Sequence, residues 1–400
     1  MRGGLASLAL LMASPAAANP LDAFGFGARA VGMGGAATAV STDVAANYYN
    51  PAGLAAGDGL RLDLGYAFVR PELRIAGGDQ RVDDSRGFQG GVALPGVLFG
   101  RRVGFSLGLH LPDERVSRIR ALPQRQPRWV LWDNRPQRVV ITSSVALEVI
   151  EGLFVGGGLT YLANTAGTLD ITGDVGLFDV ELTRLSSAVD VDLASVRYAS
   201  AGVLYQGDGW RLGAAWRQDF SLKLDLDVRV TGRVLSAPEL AVVPEGLFLL
   251  RSLNDNLYSP QQVFVGAAVT LGDWLVAVDV GWLDWSRFPS PTARLELALE
   301  LAPLSFELPL PAEPLAPGFH DIVVPRVGAE WAALAGEWGR LLVRGGGFYE
   351  PSPAPDQRGR RTTWTGTSWR GRWGWGCGWW IRAGCFRSRS RWTWRGRWCG

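Results

Sequence analysis

Val103-Gly104-Phe105-Ser106-Leu107-Gly108-Leu109-His110-Leu111 alternates an apolar residue with a small or polar one at every step. Successive side chains of a β-strand point to opposite faces, so this segment has one apolar face and one of Gly, Ser and His. The pattern recurs along the chain. Leu222, Leu224, Leu226, Val228 and Val230 alternate with Lys223, Asp225, Asp227, Arg229 and Thr231. Trp274, Val276, Val278, Val280 and Trp282 form another run, and Leu295, Leu297, Leu299 and Leu301 alternate with Arg294, Glu296, Ala298 and Glu300.

A soluble sandwich with one wet face alternates in the same way. Here the runs reach about nine to eleven residues, the length a tilted strand needs to cross hydrocarbon, whereas soluble strands centre on about five or six. Trp274 and Trp282 stand at the ends of their run, as interfacial aromatics do. The expected fold is therefore all-β, a transmembrane antiparallel barrel, closed because lipid offers the backbone no partner. Its strands are expected at 60–70, 88–100, 102–111, 137–149, 152–163, 194–206, 209–219, 221–233, 262–272, 274–286, 292–302, 323–333 and 339–349. The breaks at 112–136 and 234–261 hold Pro, Arg and Asn and read as extracellular loops. Residues 164–193 have no settled register.

The chain opens on Arg2, an apolar run from Leu5 to Met12 and Ala16-Ala17-Ala18, which reads as a signal peptide over 1–18. That run is too short for a spanning helix, which takes about 20 residues. No later stretch is long and apolar enough for one.

Residues 358–400 differ in composition from the rest. They hold nine of the 18 tryptophans, eleven arginines, no acidic residue and all three cysteines, Cys377, Cys385 and Cys399. A basic, aromatic tail suggests nucleic acid or a membrane surface. Three cysteines suggest a metal, but they lack C-x-x-C spacing and a nearby His. The better reading is a shifted reading frame. Lys223 is the chain's single lysine amid abundant Arg, Ala and Gly, which points to a GC-rich gene whose other frames yield Arg, Gly and Trp. Without those eleven arginines, 29 basic residues face 38 acidic ones and the net charge falls from +2 to −9. No cysteine then remains, as suits an exported protein without disulfides. No metal, cofactor or nucleic acid is expected.

Ahead of the strands lies Gly27-Ala28-Arg29-Ala30-Val31-Gly32-Met33-Gly34-Gly35-Ala36, then Asp43, then Asn50-Pro51-Ala52-Gly53-Leu54. Near the other end stand Val324-Pro325-Arg326-Val327-Gly328-Ala329-Glu330-Trp331, Leu342-Val343-Arg344-Gly345-Gly346 and Pro351-Ser352-Pro353. Together these blocks resemble the FadL/TodX family of outer-membrane channels for fatty acids and aromatic hydrocarbons. Gly27–Gly35 is no phosphate loop, since no Gly-Lys-Ser/Thr follows and no strand precedes it.

The resemblance implies a fourteen-stranded barrel, incomplete here, with its N-terminal segment folded back inside as a plug. The organisation it suggests is a leader at 1–18, a plug at 19–57, the barrel at 58–357 and the aberrant tail at 358–400. The plug motif would comprise Gly27, Arg29, Gly32, Met33, Gly34, Gly35, Asn50, Pro51 and Gly53. Small residues suit a segment that must pack closely, and Gly tolerates positive φ. Phe24 and Phe26 lie at its start, where they touch ligand or simply pack against the wall. Arg29, inside a plug, needs a carboxylate, with Asp225, Asp227, Glu296 and Glu300 as candidates.

The function the resemblance implies is passive uptake of hydrophobic compounds, with outer-membrane lipid and the barrel-assembly machinery of a Gram-negative cell as partners. The alternative is a non-transporting assembly or secretion scaffold of the same fold. An outer-membrane hydrolase needs a His beside a nucleophile, and His110 and His320 are the only histidines. No catalytic residue is assigned. Such barrels finish on a strand with a terminal aromatic, whereas this chain finishes Trp398-Cys399-Gly400. The expectation is that the wall, as written, does not close.

Overall fold

The structure, a computed structural model, describes residues 21–22, 25–69, 74–75, 78–79, 85–113, 138–176, 178, 180–237, 240–289, 294–301, 304–308, 318–336, 339–351, 353 and 371–379. The proposed leader, Phe24, nearly all of the 112–136 break and most of the tail lie outside these residues.

Eighteen strands follow one another in the described residues: β1 Arg61–Val69, β2 Arg74–Ile75, β3 Gly78–Asp79, β4 Ser85–Leu98, β5 Arg101–Pro112, β6 Val140–Ile150, β7 Leu153–Gly176, β8 Arg184–Gln206, β9 Trp210–Arg217, β10 Phe220–Ala237, β11 Leu240–Ser259, β12 Gln262–Leu271, β13 Trp274–Leu283, β14 Arg294–Leu301, β15 Leu304–Leu308, β16 Ile322–Gly336, β17 Gly339–Tyr349 and β18 Gly371–Trp379. Twelve of them form a continuous antiparallel wall in the order β1-β4-β5-β6-β7-β8-β9-β12-β13-β16-β17-β18. Among the described residues no pairing joins β18 to β1, so the wall is open along that seam. The expected fourteen strands are thus twelve on this path, and the expectation of an unclosed wall agrees with the structure.

The burial of β5 is inverted relative to a soluble protein. Phe105, Leu107, Leu109 and Leu111 are each between 41% and 44% exposed, while Ser106 and His110 are buried. The other wall strands follow suit: on β13, Val278 and Val280 face out while Asp279 is buried between them. An apolar exterior around a polar interior is stable in a lipid solvent and unfavourable in water.

One end of the wall, here the lower, is closed by tight turns. At Phe99-Gly100 both residues have positive φ, 51° and 76°, as a two-residue hairpin that follows the strand twist requires. Tyr205, Trp210, Trp274 and Trp331 gather near this end. Trp274 and Trp331 stack at 5.5 Å, and Tyr205 meets Trp210 at 5.4 Å. Such a belt marks the boundary of the hydrocarbon. Trp282 is exposed at the far end of the same strand.

Above the wall the strands continue. β7 has 24 residues, well beyond the roughly 9–11 that cross a bilayer. Its upper part pairs with β8 on one side and with β10, in parallel, on the other. β11, β14 and β15 extend this upper sheet. Several sequence expectations change here. Within residues 164–193, whose register the sequence left unsettled, 164–176 and 184–193 are the upper arms of β7 and β8. Residues 234–261 are mostly strand rather than loop: Pro244, which argued against a strand, falls where the β10–β11 register shifts between Gly232↔Gly246 and Val234↔Val243, and proline is tolerated at such a bulge. The alternating segment 221–233 and, within 292–302, residues 294–301 belong to this upper sheet rather than to the wall, because period two reports a two-faced strand and not which solvent it faces. Within the tail, Trp373, Trp375, Cys377 and Trp379 alternate with glycines, and Gly371–Trp379 pairs along β17. Part of the segment read as aperiodic therefore continues the wall.

Candidate functional site

Residues 25–57 contain only short helical pieces, and wall strands surround them on many sides. A helix spans Ala28–Gly32, another Ala46–Tyr49, and a 3-10 turn Pro51–Leu54. The first helix ends through glycine. Gly35 N donates to Ala30 O at 2.9 Å and Gly34 N to Val31 O at 3.0 Å, with Gly34 at φ 64°. This paired closure places a left-handed residue where glycine is favoured, and it accounts for the Met33-Gly34-Gly35 turn.

Asn50 organises the second motif. Its Oδ1 accepts from Ala52 N at 3.1 Å and so caps the 3-10 turn, with Pro51 at the first position. Its Nδ2 donates to Thr38 O at 2.8 Å and to Val203 O of β8 at 3.0 Å. One buried amide thereby closes the inner segment on itself and ties it to the wall. Asn50→Ala removes all three bonds, and with about 1–3 kcal/mol for each buried group left unsatisfied it is expected to lower the urea midpoint of the detergent-solubilised protein. Asn50→Asp restores the cap acceptor and neither donor, so it is expected to recover only part of the loss.

Charged side chains fix the segment at several further places. Glu330 of β16 accepts from Arg29 Nε at 3.0 Å and Nη2 at 2.9 Å, and also from Arg344 of β17. Burial opposes the charge on Arg29, and the adjacent carboxylate reverses that, holding the guanidinium above its usual value. The partner of Arg29 is thus Glu330, not Asp225, Asp227, Glu296 or Glu300, whose side chains lie outside the described part of the structure. Asp279 of β13 accepts from Ala37 N, Thr38 N and Thr38 Oγ1 at 2.9, 3.0 and 2.7 Å. Near the start of the segment Asp22 accepts from Tyr48 Oη and Ser259 Oγ, and Arg217 lies 3.8 Å from the centre of the Tyr48 ring. Burial pushes the Tyr48 phenol well up, so it remains a donor.

Between these ties the wall's glycines meet the segment closely, mostly along its main chain. A Cβ on Gly346 would stand 2.2 Å from the Met33 carbonyl carbon, one on Gly328 2.3 Å from Met33 O, one on Gly202 2.0 Å from Asn50 Oδ1 and one on Gly156 2.5 Å from Ala52 N. Gly104 and Gly213 approach Leu54 and Thr38 in the same way. The inward glycines of the wall and the small residues of the segment are two halves of one fit. Gly53 is as tight from within, its Cβ position lying 1.9 Å from Ser41 O. Gly27 and Gly32 complete the motif at either end of the first helix. Phe26 is buried against Gly108 and also lines a cavity bounded by Arg29, Asp43, Asp63 and Gln89. Phe24 lies outside the described residues.

Sequence reading missed an aromatic cluster near the upper end. Tyr258, Trp285, Phe288 and Phe319 are buried together, with Phe288 and Phe319 stacked at 4.4 Å, and Phe264 packs into the same group. Trp285, Phe288 and Phe319 sit in connections between strands, where period two is silent, although aromatics in succession within a connection are themselves a burial signal.

No protein-family model matches the chain, and no curated protein matches it. Its solved structural neighbours are transporters and channels. The deltaS2S3 mutant of TodX, a monoaromatic hydrocarbon channel, superposes with a TM-score of 0.51 at 16% identity, over 88% of this chain and 89% of that one. A FadL homologue of Pseudomonas aeruginosa follows at 0.49 and 14%, over 95% and 89%. The toluene transporter TbuX of Ralstonia pickettii reaches 0.45 at 17%, over 82% and 90%. The chain has the fold of the TodX channel.

Proposed function

We propose, from that fold, that this protein is an outer-membrane channel of a Gram-negative bacterium for passive uptake of hydrophobic compounds, long-chain fatty acids or aromatic hydrocarbons, exported by its 1–18 leader. Residues 19–57 act as its plug, with Gly27, Arg29, Gly32–Gly35, Asn50, Pro51 and Gly53 as the residues that seat it. The observation that carries the reading is an apolar exterior wrapped around a segment held to the wall by polar side chains such as Asn50, Asp279 and Glu330. Such a stopper fills the lumen, and its ties are hydrogen bonds and ion pairs rather than covalent links.

The test is uptake of radiolabelled oleate and toluene into proteoliposomes or cells with and without the full-length protein. A rate above the protein-free control for either cargo is expected. Rates no higher than that control for both cargoes would sink the reading and favour a non-transporting scaffold.

A further inference from the structure

The outer surface of β8 turns from apolar to charged on the way up. Its outward positions above the lower belt are Tyr205, Val203, Ala201, Ala199 and Arg197, while Leu204, Gly202, Ser200 and Tyr198 between them are buried. Arg197 stands eight residues above Tyr205. At about 3.3 Å per residue that is roughly 26 Å along the strand. At the usual tilt it is about 20 Å of height, near the top of an apolar band about 25 Å tall. A long guanidinium side chain reaches the headgroup boundary from there.

Tyr161 of β7 lies opposite Arg197, and Ile141 of β6 lies opposite Tyr161. All three are exposed. Among the described residues, neither the Arg197 guanidinium nor the Tyr161 hydroxyl makes a hydrogen bond or an ion pair.

The wall itself changes at this height. β9 follows β8 only up to the pair Ser200↔Arg217. Just above, Gln218 N donates to Ala199 O at 2.9 Å, and Ala199 N donates to Gln218 Oε1 at 3.1 Å. The chain then crosses to run as β10 along the opposite flank of β7. Among the described residues no strand covers β8 above Ala199 on the flank that β9 leaves. Main-chain groups alternate between the two flanks of a strand. Arg197, two residues above Ala199, therefore turns its N–H and C=O to that uncovered flank. The Arg197–Tyr161 pair is then of the non-hydrogen-bonded kind, in which side chains approach most closely.

One corner of the outer wall thus gathers a cation, a phenolic hydroxyl, and an uncovered amide and carbonyl. At a lipid boundary such main-chain groups need partners. A guanidinium with adjoining donors matches a phosphate, and the carbonyl calls for a hydroxyl. Ile141 and Ala201 offer apolar surface for acyl chains.

We propose that Arg197, Tyr161 and the uncovered flank of β8 form a docking site, outside the wall near its upper boundary, for a membrane lipid whose headgroup carries a phosphate and hydroxyls. The inference rests on the membrane-barrel placement and not on transport.

The test uses the purified full-length protein in non-ionic detergent and equilibrium dialysis with radiolabelled dihexanoyl phosphatidylglycerol. Neutral dihexanoylglycerol is the control for the tails, and glycerol phosphate is the control for the headgroup. Saturable binding of the phospholipid is expected. Arg197→Gln should weaken it about tenfold or more, the range for loss of a charge-assisted pair, and Tyr161→Phe about threefold. Arg197→Lys should recover part of the loss. Dihexanoylglycerol should bind wild type and variants alike, and glycerol phosphate at equal concentration should not displace the phospholipid. Heat-modifiable mobility on gels reports whether each variant is folded. No saturable binding by the wild type, an unchanged Arg197→Gln variant or an equal fall for both lipids overturns the site. Displacement by glycerol phosphate at equal concentration overturns the lipid and leaves a free phosphate as the occupant. A protein that stays in solution without detergent overturns the barrel placement. Binding as expected in a protein that transports neither oleate nor toluene overturns the channel reading and leaves the site standing.

Discussion

Replacing Glu330 with alanine is expected to destabilise the folded protein by about 3–5 kcal/mol, the range for removing one partner from a buried ion pair. The effect belongs at the upper end of that range because one carboxylate serves two guanidiniums, Arg29 from the plug and Arg344 from the adjoining strand. Its loss leaves two positive charges facing each other in a water-poor interface. The measurement is the urea midpoint of the detergent-solubilised protein, followed by loss of heat-modifiable mobility. Glu330→Ala/Arg29→Ala/Arg344→Ala, which removes all three charges, is expected to be more stable than the single variant. A single variant as stable as wild type would show that the plug is not fastened there.

The second large effect is expected from Gly346→Ala. Overpacking a core side chain costs about 1–3 kcal/mol because neighbours can turn aside. Here the added carbon meets the Met33 carbonyl at 2.2 Å and the Gly34 nitrogen at 2.6 Å. Main chain cannot rotate away, so plug and wall must separate. Expected results are faster proteolysis within residues 25–57 and faster swelling of liposomes in small sugars. Gly59→Ala, where a Cβ meets nothing within 4 Å, is the control and should leave both unchanged. A Gly346→Ala plug as protected as the wild type would refute the close fit.

Much of the wall was legible because lipid imposes one rule on every crossing strand. Residues 103–111 carry their whole orientation in their alternation, and Gly27–Leu54 announces itself through small residues and Asn-Pro. Three things escaped. The partner of Arg29 is 301 residues away in sequence, and which of many inward carboxylates arrives opposite it depends on accumulated register. The upper sheet escaped because Leu222–Thr231 alternates as a wall strand does. The aromatic cluster escaped because Trp285, Phe288 and Phe319 follow no repeat.

Six of the wall glycines that face the plug, Gly104, Gly156, Gly202, Gly213, Gly328 and Gly346, have a consequence for heredity and for engineering. A joint between bare peptide planes has no side chain to absorb drift, so stopper and cylinder must change in step. Chimaeras that graft residues 25–57 onto a foreign barrel should assemble only where the recipient is equally bare at those six sites.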